Sequence, residues 1–124
     1  MILGIGTDLL DVSRMEQEIS KGRAGLKDEV FTPAEIAYCE GKQFPARHFA
    51  ARFAAKEALV KALSAPGVTP RLRDVEVERS ETGAPRLVLH GELRQAAWRL
   101  GVKKILVSLS HTDSLAMASV VLEG

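Results

Sequence analysis

The sequence predicts an α+β protein in which a mostly antiparallel sheet packs on one long central helix. Residues 45–64 consist almost entirely of helix-forming residues and contain no glycine, which predicts that helix. Four strand-like segments follow in two pairs, within residues 75–90 and 105–122. The short link inside each pair favours antiparallel pairing, while the patterns leave the order of the strands open.

Length and composition bound the class of protein. The 124 residues suffice for one domain with its own core, which we place at residues 1–124. A net charge of +1 gives no overall field that selects nucleic acid or an anionic membrane, and no apolar stretch reaches the ~20 residues that span a bilayer. A single cysteine, Cys39, excludes an internal disulfide and fits a reducing compartment. No signal peptide pattern opens the chain, because Asp8 interrupts the first apolar run. We therefore expect a cytoplasmic protein that binds neither nucleic acid nor membrane.

The first element is a strand at residues 1–7, with Asp8 at its end. Gly4 and Gly6 lie inside this strand and weaken it. Their presence suggests that another backbone or a ligand approaches the strand closely.

Two capping-box patterns predict the next helices. Residues 13–16 would open a short helix that stops at Gly22, with a loop over residues 21–27. Residues 32–35 would open a second helix, which ends near Gly41.

The second half of the chain alternates strands with one helix. Val75 and Val77 alternate with charged residues, which predicts a half-exposed strand, and a turn at residues 81–85 leads to its partner. The further elements are a strand at 87–90, a helix at 92–100, and a hairpin formed by strands at 105–110 and 115–122.

Charged residues interrupt the central helix. An apolar stripe that includes Phe53 and Val60 runs along it, and alanines cover much of the rest, so most of its sides should contact protein. Lys56 falls within the stripe, next to Glu57 and one turn before Lys61. A buried charge is costly unless it is paired or binds something. The alternatives are an ordinary i,i+4 ion pair of Glu57 with Lys61 on a solvated face, and a Lys56 that extends its charge to water.

Two carboxylates on distant segments, Asp8 and Glu57, are the minimum protein contribution to a magnesium site, because Mg²⁺ keeps waters and takes other oxygens from substrate phosphates. Lys56 and Lys61 would hold phosphate oxygens as point charges. His111, in the hairpin loop, would donate to a phosphate or transfer a proton, although a loop histidine is often merely exposed.

Three motifs together resemble one known family, the holo-[acyl carrier protein] synthases. Residues 4–14, GIGTDLLDVSR, resemble its G-I-G-x-D-x-x-x-x-x-R opening. Residues 52–62, RFAAKEALVKA, resemble its R-F-A-x-K-E-A-x-x-K-A motif, and residues 108–112, SLSHT, resemble S-[IL]-[ST]-H-[TS]. Order, spacing and length agree, and the resemblance covers essentially the whole chain.

The resemblance implies a 4′-phosphopantetheinyl transferase fold and a magnesium-dependent reaction. Such an enzyme moves 4′-phosphopantetheine from coenzyme A to a serine of apo-acyl carrier protein in fatty acid biosynthesis and releases adenosine 3′,5′-bisphosphate. The resemblance also implies a homotrimer with active sites at its subunit interfaces. Serving the carriers of polyketide or other secondary pathways is an alternative, as is a non-enzymatic scaffold that binds coenzyme A.

Residue roles follow from the same resemblance. Asp8 and Glu57 match the metal ligands, Glu57 and Lys61 would act in catalysis, and Arg14 matches an arginine that faces the acidic carrier protein. The residues assigned to coenzyme A are Lys56, Lys61, Gly83, Pro85, His111 and Thr112. The acceptor of the serine proton stays open between a water on the metal, Glu57 acting through such a water, and neutral Lys61. Contacts of residues 65–68 also stay open, because the family often has a glycine-rich stretch there.

Overall fold

The computed structural model describes residues 1–21 and 26–124, and the predicted α+β class is confirmed. The elements in chain order are β1 (Ile2–Asp11), α1 (Val12–Ser20), α2 (Leu26–Val30), α3 (Pro33–Glu40), α4 (Pro45–Leu63), a 3₁₀ turn (Leu72–Asp74), β2 (Val75–Arg79), β3 (Pro85–Leu89), α5 (Gly91–Leu100), β4 (Lys104–His111) and β5 (Leu115–Glu123).

Helix α4 lies at the centre of the protein, and its predicted bounds are correct to within one residue. Pro45 occupies the first turn, where its missing amide proton costs nothing. Ser64 ends the helix in a left-handed conformation with φ of 43°. Phe49 and Leu59 are buried, as are most of the alanines, because the helix contacts β1 and β5 as well as α1 and α3.

The strands form two antiparallel sheets. The larger has the order β1-β5-β4, and its register places Asp8 opposite Ala118 and Ala118 opposite Leu109. The smaller consists of β2 and β3, with Val75 opposite Leu89. The buried residues of β5 and β2 belong to the same core cluster as α4, so both sheets pack on this helix.

One face of the larger sheet packs on α4, and the opposite face is apolar and exposed. Ala118 and Val120 of β5 are buried on the inner face, whereas side chains alternate to the outer face along each strand. Ile5 is 74% exposed, Leu9 62%, and Leu106 42%. We call this outer surface, with Ile5, Leu9, Leu106 and Met117, the exposed sheet face. Within the described residues no helix is both long and apolar enough to cross a bilayer.

Three sequence-based expectations for the N-terminal part need correction. β1 runs to Asp11 rather than residue 7, because β5 pairs with it along its whole length, so Asp8 lies within the strand. The box at residues 13–16 does not cap α1, since this helix starts at Val12, whose amide donates to Ser114 O at 2.9 Å. Helix α2 begins at Leu26, inside the predicted loop, and the predicted stop at Gly22 lies outside the described residues.

The later expectations hold more closely. The capping box at Thr32 is present: Thr32 Oγ1 accepts from the Glu35 amide at 3.2 Å, and Glu35 Oε1 accepts from the Thr32 amide at 2.8 Å. The two predicted strand pairs and the helix between them are also present. β3 starts two residues earlier than expected, at Pro85, because Pro85 pairs with Arg79.

The backbone of β1 lies directly against the backbone of α4, as the two glycines suggested. A Cβ atom added to Gly6 would lie 2.0 Å from Ala58 O, and one added to Gly4 would lie 2.1 Å from Ala62 O. Only glycine allows this approach, because the blocking atoms belong to the main chain of a buried helix.

Replacement of Gly6 by alanine should therefore destabilise the protein strongly. Gly6→Ala would force β1 away from α4, and we expect a loss of at least about 3 kcal/mol in the free energy of unfolding, at the upper end for overpacking. Gly41→Ala is the matched control, because Gly41 has φ of −78° and a Cβ there would have ordinary contacts. Its effect should stay within about 1 kcal/mol. Denaturant melts of both variants measure this, and equal stabilities would contradict it.

Candidate active site

Three predicted site residues meet where β1 crosses α4. Lys61 Nζ on α4 donates to Asp8 Oδ1 on β1 at 3.0 Å and to the main-chain oxygen of Thr7 at 3.0 Å. Glu57 lies one turn earlier on α4, and it lines the same cleft of about 510 Å³ as Asp8. The structure thus assembles Asp8, Glu57 and Lys61 from two distant segments. Lys61 pairs with Asp8 rather than with Glu57 in an isolated i,i+4 pair.

The surroundings of Glu57 perturb its pKa. Burial raises the pKa of Glu57 above its usual range by disfavouring the charged form, and the charge of Asp8 raises it further. Lys61 opposes both effects. A site with two close carboxylates and one lysine attracts a further cation.

The donor set fits magnesium and does not fit a metal held by protein alone. Among residues 1–21 and 26–124, no group of three or more His, Cys, Asp or Glu side chains is placed to hold a metal ion. Asp8 and Glu57 supply two hard oxygen donors beside an open cleft. That arrangement suits an ion that completes its coordination with water and substrate phosphates.

Arg14 lines the same cleft, on the first turn of α1. Its side chain is exposed, and within the described part of the chain it makes no ion pair with Asp11 or Glu16, which were the possible partners. Met15 and Phe53 add an apolar wall. The cleft therefore combines a free guanidinium, an apolar surface and the two carboxylates.

Three further predicted residues line a second cleft, of about 330 Å³. His111, Gly83 and Pro85 line it together with His48, and the rings of His48 and His111 lie 5.3 Å apart. His48 precedes Glu57 by nine residues of α4, which is roughly 14 Å along the helix axis. One chain thus carries the predicted residues in two separate clefts.

The side chain of Thr112 is used in the turn beside the second cleft. Its Oγ1 accepts from the amides of Ser114 and Leu115 at 3.3 and 3.0 Å, and its own amide donates to Leu115 O at 2.8 Å. Thr112 therefore shapes the hairpin that carries His111.

Sequence reasoning missed a cationic cluster in the second cleft. The guanidinium of Arg52 stacks 4.0 Å above the ring of Tyr38, and Arg79 contacts the Tyr38 hydroxyl. Burial alone would raise the pKa of Tyr38, but the two arginines outweigh it and lower that pKa. Arg52 is 5% exposed, and its Nε has no partner among the described residues. Arg52 begins the second motif, so the sequence could have identified it as a candidate site residue. No sequence pattern joins Tyr38 to Arg79.

Neighbouring cations also perturb His48, in the same cleft. Burial lowers the pKa of His48, and the charges of His111 and Arg52 lower it further. The second cleft is therefore strongly electropositive, and an anion bound there would be well compensated.

The assignment of Lys56 to phosphate binding is contradicted by its position. Its side chain is fully buried, and Nζ donates to Glu35 Oε1 at 2.9 Å, to Val75 O at 2.6 Å and to Leu72 O at 3.1 Å. All three protons are used inside the core, which also excludes the alternative that the charge extends to water. Glu35 Oε2 accepts from the Val77 amide at 2.9 Å, so the ion pair joins α3, α4 and β2. Burial lowers the pKa of Lys56, and Glu35 opposes that shift.

The family model for the 4′-phosphopantetheinyl transferase superfamily matches residues 4–120, and the chain belongs to this superfamily.

Individual relatives have more specific names. The chain is 48% identical to the holo-[acyl-carrier-protein] synthase of Anaeromyxobacter dehalogenans (strain 2CP-1 / ATCC BAA-258), over 100% of this chain and 98% of that one. It is 43% identical to the same enzyme of Syntrophus aciditrophicus (strain SB), again over 100% and 98%.

Solved structures agree with these relatives. The crystal structure of holo-[acyl-carrier-protein] synthase from Neisseria meningitidis superposes with a TM-score of 0.87, at 28% identity and full coverage of both chains. The Helicobacter pylori enzyme, solved in complex with coenzyme A, gives 0.80 at 27% identity, over 96% of this chain and 99% of that one.

Replacement of Glu57 by glutamine should stabilise the protein at neutral pH. Because the pKa of Glu57 is higher in the folded than in the unfolded state, its contribution favours folding below the unfolded value of about 4.5 and is lost as the pH rises through the folded value. Glutamine mimics the neutral form, so Glu57→Gln should melt above wild type at pH 7.

The difference between the two proteins should close as the pH falls towards 4. Melting curves from pH 4 to 8 measure it, with Glu16→Gln, at an exposed glutamate of α1, as the control. A gap that does not change with pH would contradict this assignment.

Proposed function

We propose that this protein transfers the 4′-phosphopantetheine group of coenzyme A to a serine of apo-acyl carrier protein in fatty acid biosynthesis. The observation that carries the proposal is that Asp8 and Glu57 line one cleft and that Lys61 bonds to Asp8. The names of the relatives support it, as do the neighbours solved with coenzyme A. We propose that the reaction takes place in the cytoplasm, as expected for these substrates.

In the reaction, the serine oxygen forms a bond to the phosphorus that carries pantetheine. The pyrophosphate bond breaks, and adenosine 3′,5′-bisphosphate leaves with the electron pair. Mg²⁺, held by Asp8 and Glu57, would act as a Lewis acid that neutralises pyrophosphate charge. Lys61 stabilises the charge on the transferred phosphoryl oxygens, since its ammonium lies beside Asp8, one of the two proposed metal ligands.

Glu57 is the best acceptor for the serine proton. Its raised pKa brings a carboxylate closer to the range in which a general base works near neutral pH. We propose that it acts through a water molecule. Lys61 is the weaker choice, because its Nζ already donates hydrogen bonds to the Asp8 carboxylate and to the main-chain oxygen of Thr7.

The second cleft binds the nucleotide end of coenzyme A. Gly83 and Pro85 form its turn, and His111 lies beside them. Arg52 and Arg79, held by Tyr38, supply positive charge for an anionic nucleotide.

We propose that the active protein is a homotrimer with active sites at its interfaces. The two clefts lie apart on one chain, and coenzyme A must reach both. Association through the exposed sheet face would bury its apolar side chains, including Ile5, Leu9 and Leu106. The second cleft of one copy would then complete the cleft of the next copy that Asp8 and Glu57 line, which we call the carboxylate cleft.

Incubation with coenzyme A, Mg²⁺ and an apo-acyl carrier protein should add one phosphopantetheine to the carrier, measured by mass spectrometry. Asp8→Asn and Glu57→Gln should each lower turnover by about 100-fold or more, while Glu16→Gln stays active. Parallel panels of fatty acid and polyketide carriers identify the preferred substrate. The proposal fails if no carrier gains mass, or if both carboxylate variants keep wild-type rates.

The assembly has its own test by light scattering. Wild type should have the mass of three chains, and Leu106→Glu, on the exposed sheet face, should dissociate it because three carboxylates would be buried together. Trp98→Glu is the control, since Trp98 is 79% exposed but lies on α5. A monomeric wild type that is fully active would exclude the trimer.

Arg14 should dock the acidic carrier. Arg14→Glu replaces attraction by repulsion, and loss of such a contact is worth on the order of 2–5 kcal/mol. We expect a higher KM for carrier, an effect that weakens as salt rises, and unchanged affinity for coenzyme A by calorimetry. Arg94→Glu, on α5, is the matched charge reversal elsewhere. Equal damage to carrier and coenzyme A binding would disprove docking by Arg14.

A further inference from the structure

The Lys61 ammonium occupies the place beside Asp8 Oδ1 that a bound metal ion would take. Its Nζ lies 3.0 Å from Asp8 Oδ1, and its second contact is the main-chain oxygen of Thr7 at 3.0 Å. The Asp8 side chain is 18% exposed, whereas that of Lys61 is 54% exposed. The carboxylate is therefore held in place, and the lysine head reaches it from the solvent side.

We infer that Lys61 and the divalent cation compete for Oδ1 of Asp8, so that metal binding releases the Lys61 ammonium to the substrate phosphate. This inference rests on the proposed function, because it takes Asp8 as a metal ligand. It adds that Lys61 neutralises the charge of Asp8 while no metal is bound, and binds the substrate phosphate once metal has displaced it.

Electrostatics favour exchange over sharing. An ammonium and a divalent cation on the same carboxylate oxygen would lie within a few ångströms of each other and repel strongly, because screening is weak in a partly buried cleft. The lysine is the partner that can move, since it has a flexible stem and an exposed ion pair of small net value.

The same geometry explains why both roles need a lysine at this position. Lys61 lies one turn after Glu57 on α4, and Glu57 lines the cleft, so a rotation of the flexible Lys61 stem can carry the ammonium towards it. Metal binding and phosphate binding are then coupled, because the metal takes Asp8 Oδ1 and so frees Lys61 to bind the phosphate.

Calorimetric titration of the purified full chain with Mg²⁺, and with Mn²⁺ as a second probe, tests the exchange without any turnover. Lys61→Met keeps the length of the side chain and removes the charge. It should bind either ion about five-fold more tightly, the ratio that an exposed ion pair of about 1 kcal/mol gives when it no longer competes. Its melting temperature should fall without metal and rise more than that of wild type when metal is added.

Lys103→Met is the matched control for loss of one lysine. The Lys103 amide donates to Glu123 O, and Glu123 pairs with Ile2 at the start of β1. Lys103 therefore lies about 20 Å from Asp8, measured along the strand. Its metal affinity should equal that of wild type. Lys61→Arg should bind metal no more tightly than wild type, because a guanidinium grips the carboxylate at least as well. The arginine variant keeps the test decisive if Lys61→Met does not fold.

The outcomes separate the two levels of the proposal. Tighter metal binding in Lys61→Met alone supports competition. Equal or weaker binding in Lys61→Met, or tighter binding in Lys61→Arg, overturns it and makes Lys61 a support for Asp8, while the proposed function stands. If wild type binds neither ion even with coenzyme A present, the metal assignment itself falls and the inference falls with it.

Discussion

The backbone contact between β1 and α4 is the constraint on which the site depends. Gly4 and Gly6 let the strand lie against the main chain at Ala58 and Ala62, closer than any side chain would permit. Asp8 follows Gly6 by two residues and therefore points to the same side of the strand. Glu57 precedes Ala58 on the helix. The two glycines therefore also bring the carboxylates together, because they set the distance between β1, which carries Asp8, and α4, which carries Glu57.

A second constraint orients the smaller sheet. The buried pair of Lys56 and Glu35 joins α4 to α3, and each partner also bonds the main chain beside or within β2. Adjacent residues of α4 thereby divide the work: Lys56 faces the core and fixes the scaffold, whereas Glu57 faces the carboxylate cleft. A burial cost that would be prohibitive for an unpaired lysine is offset by three hydrogen bonds.

The sequence predicted what depends on local pattern or on the three motifs. It located α4, the Thr32 box, both strand pairs and the Asp8, Glu57 and Lys61 set. It could not predict long-range effects. Pairing with β5 extended β1 to Asp11, and the amide of Val12 found its partner on the distant hairpin. Lys56 was misassigned because helical periodicity does not tell which neighbour a stripe contacts. The cationic cluster around Tyr38 was not predicted, because its members lie on three separate elements, α3, α4 and β2.

The capping box at Thr32 has a meaning beyond the start of one helix. Glu35 Oε1 accepts from the Thr32 amide and from Lys56, while Oε2 accepts from the Val77 amide. The Glu35 carboxylate therefore joins a local helix cap to a long-range contact with β2. Fraying of α3 would leave the Lys56 charge unpaired in the core, so we expect α3 and β2 to open together as one cooperative unit. We expect partly folded forms with a free β2 edge to be scarce for the same reason.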